Sequence, residues 1–114
     1  MANQPELKLQ QQCYQYFHNT YPNRRLTLWR VENERKRSRY QQSIAKSTGL
    51  TSGVADLHLL NDSMYHAIEL KASTGKLRAS QKKWGAAIVS QGAQYHVIRS
   101  LDEFKKLIKW ILKS

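Results

Sequence analysis

Asp56, Glu69 and Lys71 are the residues whose types and spacing could do chemistry together. Glu69 and Lys71 are two positions apart, so on an extended strand both project from one face. Asp56 sits in the preceding alternating stretch, and Asn61-Asp62-Ser63 between the two stretches reads as a tight turn. If Asp62 and Ser63 are the central turn residues, directly opposed residues share a constant index sum. Asn61 then faces Met64, His58 faces Ala67 and Asp56 faces Glu69, which puts both carboxylates and the Lys71 ammonium on one side of the hairpin. The other side carries Ala55, Leu57, Leu59, Ile68 and Leu70, with His66 as its polar exception, and reads as a core face.

Opposed carboxylates repel, and such pairs persist where a proton or a cation is shared between them. Their Cβ atoms sit about 4.5–5.5 Å apart, close enough for both to reach one ion. Mg²⁺ fits: it takes oxygen ligands, uses one or two protein carboxylates, and fills its remaining positions with water and substrate phosphate. A lysine alongside can orient or deprotonate an attacking water, or offset charge in the transition state of phosphodiester hydrolysis. On spacing alone the same three residues also fit an exposed, salt-bridged sheet face with no chemistry.

Composition supports a polyanionic partner. Nineteen Lys and Arg against eight Asp and Glu give a net charge of +11 on 114 residues, and nucleic acid is the commonest partner of so basic a small domain. No apolar run reaches the roughly 18 residues a membrane helix needs, and no basic amphipathic helix with interfacial aromatics dominates. The polar N-terminus lacks a secretory signal, so a cytoplasmic location in a bacterium or a phage-infected cell is expected, with no membrane partner. The lone Cys13 allows no internal disulfide and no cysteine-based zinc site; its spacing from Leu9 and Phe17 reads as a buried small side chain.

The elements that must position the three residues follow from pattern. A helix is expected from about Pro5 to Tyr21, on the stripe Leu9, Cys13, Tyr16 and Phe17, and a strand over Leu26 to Val31. From Glu32 to about Thr48 the chain reads as a basic loop or a short exposed helix. Strands are expected over Val54 to Leu60 and Met64 to Lys71, and a loop over Ala72 to Lys76. A helix over roughly Ala79 to Gln91 is closed by Gly92, and a strand runs from Gln94 to Arg99. Ser100-Leu101-Asp102-Glu103 is a capping box opening a last helix with core face Leu101, Phe104, Leu107, Ile108 and Ile111. The order α-β-β-β-α-β-α implies an α/β fold, a mixed sheet with helices against it, in a single domain over 1–114.

Gly53-Val54-Ala55-Asp56-Leu57, Ile68-Glu69-Leu70-Lys71, Gly75-Lys76-Leu77, Gln81-Lys82-Lys83-Trp84, Gly92 and Tyr95-His96-Val97-Ile98-Arg99 together resemble a VRR-NUC domain of the PD-(D/E)xK nuclease superfamily. The resemblance spans nearly the whole chain. It implies a restriction-endonuclease-like α-β-β-β-α-β core, with a C-terminal helix added here, that hydrolyses DNA with Mg²⁺ or Mn²⁺. Asp56, Glu69 and the Leu70 carbonyl would hold the metal, and Lys71 would be the catalytic lysine. Gln81 and Glu6 would contribute beside them. The usual proline before the aspartate is Ala55 here, and the Asn33 segment resembles an early Asn-containing stretch of the family.

Glu6 also suits a helix N-terminus for its charge alone. Trp84 reads as core rather than a base-stacking residue, and His58 as a flank of the site face. Arg35, Lys36, Arg37 and Arg39 are candidate phosphate contacts, with Lys76, Arg78, Lys82 and Lys83 as a second strip. Two functions follow. One is a structure-selective DNA endonuclease, junction-resolving or else a flap or nicking enzyme. The other is a catalytically silent or accessory nucleic-acid-binding module. Small free-standing relatives resemble homodimeric enzymes, and a twofold dimer would repeat the site for branched DNA, with Trp110 and Ile111 of the last helix in the contact.

Overall fold

The computed structural model describes residues 4–32 and 38–113. Chain order is α1 (Gln4–Thr20), a 3-10 turn (Pro22–Thr27), β1 (Leu28–Arg30), α2 (Arg39–Ser47), β2 (Leu57–Asn61), β3 (Met64–Leu70), α3 (Ala79–Ser90), β4 (Gln94–Ile98) and α4 (Leu101–Lys113). The four strands lie in that order across one sheet. The β1–β2 and β2–β3 pairs are antiparallel and β3–β4 is parallel, so the sheet is mixed, as expected.

The β2–β3 register pairs Asn61 with Met64, His58 with Ala67 and Leu57 with Ile68. Asp62 (φ 49°) and Ser63 (φ 66°) both occupy the left-handed region, which a two-residue type I′ hairpin turn requires because its twist matches that of the strands. The parity inferred from the sequence is therefore the parity of the fold.

Two strand starts differ from expectation. β2 begins at Leu57 rather than Val54 because the chain before it is drawn to α3. Gly53 (φ 81°) passes so close that a Cβ there would lie 2.2 Å from the Ser80 carbonyl oxygen. β1 begins at Leu28 rather than Leu26 because Pro22–Thr27 winds into the 3-10 turn, held by Arg24 N–H to the Tyr21 carbonyl (2.9 Å) and Thr27 Oγ1 to the Arg24 carbonyl (2.7 Å). Leu26 is accordingly 96% exposed. The segment left open between loop and helix forms α2, opened by a capping box: Gln41 N–H donates to Ser38 Oγ (3.1 Å) and Ser38 N–H to Gln41 Oε1 (2.9 Å). Asn33, Glu34, Arg35, Lys36 and Arg37 lie outside the described residues.

Leu9, Cys13 and Phe17 of α1 and Phe104, Ile108 and Ile111 of α4 close over the sheet face bearing Leu28, Leu57, Leu59, Ile68, Leu70 and Ile98. Each large apolar side chain buried there contributes about 1.5–3 kcal/mol of transfer free energy. Cys13 is part of this core, and burial pushes its thiol up to about 12, as suits an inert packing residue. Ile111 is core too, which removes it from any contact between copies; Trp110 beside it is exposed. α3 covers the opposite face, where Gly85 lies so near the Tyr95 ring that a Cβ would approach it to 3.1 Å. Among the described residues no helix is long and apolar enough to cross a membrane.

Candidate active site

Glu69 leaves β3 on the α3 side of the sheet, where it is 2% exposed. Asp56 stands one residue before β2, at the end of the β2–β3 ladder. There its Oδ2 accepts the Leu70 N–H at 2.9 Å, a side chain serving where the paired backbone has run out. Gln81, in the first turn of α3, is buried and held at both ends. Its Oε1 accepts the Arg78 N–H (2.8 Å) and its Nε2 donates to Glu69 Oε2 (2.9 Å). Lys71 is also buried, with Nζ 3.9 Å from the same Glu69 oxygen, an ion pair and not a hydrogen bond.

These burials decide against a solvated salt-bridged face. A carboxylate removed from water without full compensation is costly, and the cost appears as a shifted acidity. Burial, then the neighbouring Asp56 charge, pushes Glu69 up to about 8, with Lys71 pulling the other way. Asp56 is raised as well, by burial first, against the lowering effect of the Leu70 N–H. With both groups ionised, Glu69 Oε1 has no hydrogen-bond partner among the described residues. The Asp56 charge beside Glu69 favours the protonated form of Glu69.

The carboxylates open into a cleft of about 540 Å³ between the start of α1, the end of β1 and the start of α3. Glu6 lines it, so its place in the first turn of α1 and its place beside the carboxylates coincide. Arg78 lines it as well. Lys76, Lys82 and Lys83 are exposed around the first turn of α3 without lining the cleft, and Arg39 is exposed at the start of α2. Arg35, Lys36 and Arg37 fall outside the described residues.

Sequence reasoning passed over Arg30 and gave Tyr95 no part in the site. Arg30 lines the mouth of the cleft, and its pairing with Glu32 at 3.9 Å is exposed on both sides and so weak. Its one sequence signal was its place at the end of an alternating strand. Tyr95 is pushed up to about 12, by burial and then by the Glu69 and Asp56 charges, which marks its nearness to the site. His58 is buried rather than flanking, and burial holds it below the usual imidazole range. Trp84 is half-buried, its ring edge-on to both His58 and Tyr95, in line with a packing role.

The donors suit a hard divalent cation. Two carboxylates meet at one end of a ladder, and one buried oxygen of theirs, Glu69 Oε1, has no partner among the described residues. Among the described residues no three His, Cys, Asp or Glu side chains cluster as a metal site, so the two carboxylates would be joined by oxygen ligands of another kind. Residues 4–102 match the family model of the VRR-NUC domain. The chain belongs to the VRR-NUC family. It is thus a nuclease-type domain with DNA as its substrate. A solved structure described as a VRR_NUC domain protein shares the fold at a TM-score of 0.80 and 14% identity, covering 99% of this chain and 92% of that one. No curated protein matches the sequence. In this VRR-NUC chain the sheet, the hairpin and α3 are thus the frame that brings Asp56, Glu69, Lys71 and Gln81 together.

Proposed function

We propose that the protein is a Mg²⁺- or Mn²⁺-dependent deoxyribonuclease that hydrolyses phosphodiester bonds, with Asp56, Glu69, Lys71, Gln81 and Glu6 as its working residues. The observation that carries this reading is the buried Glu69 carboxylate, one oxygen unsatisfied, set against Asp56 and Lys71 in an open cleft. Asp56, Glu69 and the Leu70 carbonyl would hold the ion, which when bound supplies Lewis-acid stabilisation of the phosphate and of the attacking water. Gln81 fixes the Glu69 carboxylate by its 2.9 Å bond. Lys71 Nζ orients the attacking water and offsets the negative charge that grows on the phosphate oxygens. Glu6 and Arg30 flank the cleft, one repelling and one attracting the DNA backbone as it enters.

Substrate selectivity for branched DNA, four-way junctions first, belongs to the same proposal, as does a homodimer that repeats the cleft about a twofold axis. α2 supports the dimer: it carries Tyr40 and Ile44 on one face and has no buried residue of its own. The test is a panel of junction, flap, nicked and linear DNA with Mg²⁺ or Mn²⁺. Cleavage that needs metal and favours the junction is expected. Binding without cleavage of any substrate would make the chain a silent nucleic-acid-binding module. Preference for flaps or nicks would keep the nuclease and discard the junction.

A further inference from the structure

Ala55, the residue before Asp56, is fully buried, and it lies outside the ladders, which end at Leu57 on both sides of β2. Among the described residues its carbonyl therefore has no strand partner, and a buried carbonyl left alone is costly. His58 supplies the partner: its Nε2 lies 2.9 Å from the Ala55 oxygen. A carbonyl only accepts, so Nε2 carries the proton and Nδ1 is left as an acceptor. Nδ1 is hydrogen-bonded to the Tyr65 hydroxyl, which then donates.

The imidazole has no freedom to do otherwise. It is 3% exposed. Trp29, its cross-strand partner on β1, lies nearly parallel to it at 5.9 Å between ring centres, and Tyr65 on β3 lies nearly parallel on the same hairpin at 5.7 Å. Trp84 of α3 meets it edge-on at 6.1 Å. Three strands and a helix thus converge on one ring whose single donated bond goes to the peptide that introduces Asp56.

We propose that His58 is a positioning residue for Asp56. It holds the Ala55 carbonyl, and so sets the direction in which the next side chain enters the cleft, while Tyr65 fixes the tautomer that makes the bond. The inference rests on the reading of Asp56 as a metal ligand. Its structural half, the His58–Ala55 bond, can be tested apart from that reading.

The experiment uses the full chain. Long-range proton–nitrogen NMR spectra at neutral pH should show His58 as the Nε2–H tautomer; the Nδ1–H tautomer would overturn the proposal whether or not the protein cuts DNA. His58→Phe keeps a flat ring between Trp29 and Tyr65 but donates nothing. It should lose about 10- to 100-fold in Mn²⁺ affinity and in single-turnover cleavage, with DNA affinity unchanged. His58→Gln restores a donor and should recover part of the loss, which a purely structural role for the ring would not produce. Tyr65→Phe keeps the ring and removes the hydroxyl, so it carries the test if His58→Phe does not fold, and it should lose about threefold or more on the same two measurements. Mn²⁺ affinity and cleavage both within about twofold of the parent in the folded variants would sink the idea. A parent chain that neither binds Mn²⁺ nor cuts, yet shows the Nε2–H tautomer, would discard the metal reading and leave the bond standing.

Discussion

Glu69 is buried before anything neutralises it, and its neighbour Asp56 shares the difficulty. Asp56→Asn relieves the repulsion while an amide oxygen can still accept the Leu70 N–H. Cleavage should fall at least about 100-fold, while DNA affinity should hold, as expected of binding through the basic surface. The metal-free melting temperature should match or slightly exceed the parent's; full cleavage by this variant would end the mechanism. Lys71→Ala should also stop cleavage, yet retain metal binding by calorimetry. The raised Glu69 acidity has a definite sign. A carboxyl held up to about 8 when folded, against 4.5 as its ordinary value, stabilises the fold at low pH. That contribution is lost as pH rises from 4.5 through about 8. In metal-free buffer, melting temperatures of the parent and Glu69→Gln should therefore diverge in the variant's favour between pH 5 and pH 9. A gap that does not change with pH would mean that Glu69 is not desolvated in solution.

At the scale of elements, the β2–β3 hairpin was legible in the sequence because both of its determinants are local: side chains alternate with a period of two, and Asn61-Asp62-Ser63 is turn chemistry. What escaped were contacts made across the chain. Nothing near Val54 announces that Gly53 must lie against the Ser80 carbonyl, and nothing near His58 announces Trp29 and Trp84. Gln81 was reachable only through the family resemblance, because its bond to Glu69 joins a helix to a strand. Gly53→Ala should consequently cost more than the roughly 1–2 kcal/mol of a left-handed alanine, since backbone and not a yielding side chain stands in the way; chemical denaturation measures it. A second element-scale prediction concerns the stacked pair His66 and His96, joined by 3.1 Å between Nδ1 and Nε2 across β3 and β4. Burial, then the charge of His66, lowers His96 to about 4. A depressed imidazole contributes stability above 6.5 that is lost as pH falls toward 4. His96→Phe should therefore shrink the drop in melting temperature between pH 7 and pH 5, and an undiminished drop would place the acid sensitivity elsewhere.

For the molecule as a whole, the net charge of +11 was the plainest signal, and DNA binding is expected to draw on it. Reversing Arg35, Lys36, Arg37 and Arg39 together should weaken DNA binding without unfolding. The logarithmic salt dependence should flatten by about one unit for each phosphate that the variant no longer neutralises; an unchanged slope would make the cluster plain surface. A homodimer should bury about 1,200–2,000 Å² in total, and a monomer mass in light scattering with activity intact would remove it. The type I′ turn at Asp62-Ser63 reaches further than its size suggests. It sits at the far end of the hairpin from the carboxylates, yet it counts residues for them. One residue inserted there without a compensating bulge would exchange the two faces of a strand, turning Glu69 toward the core and Ile68 toward the cleft, whereas two inserted residues would restore the alternation. Loop lengths at this tip should therefore change in even steps among functional variants, or in odd steps accompanied by a bulge, a rule written by a turn that touches no substrate.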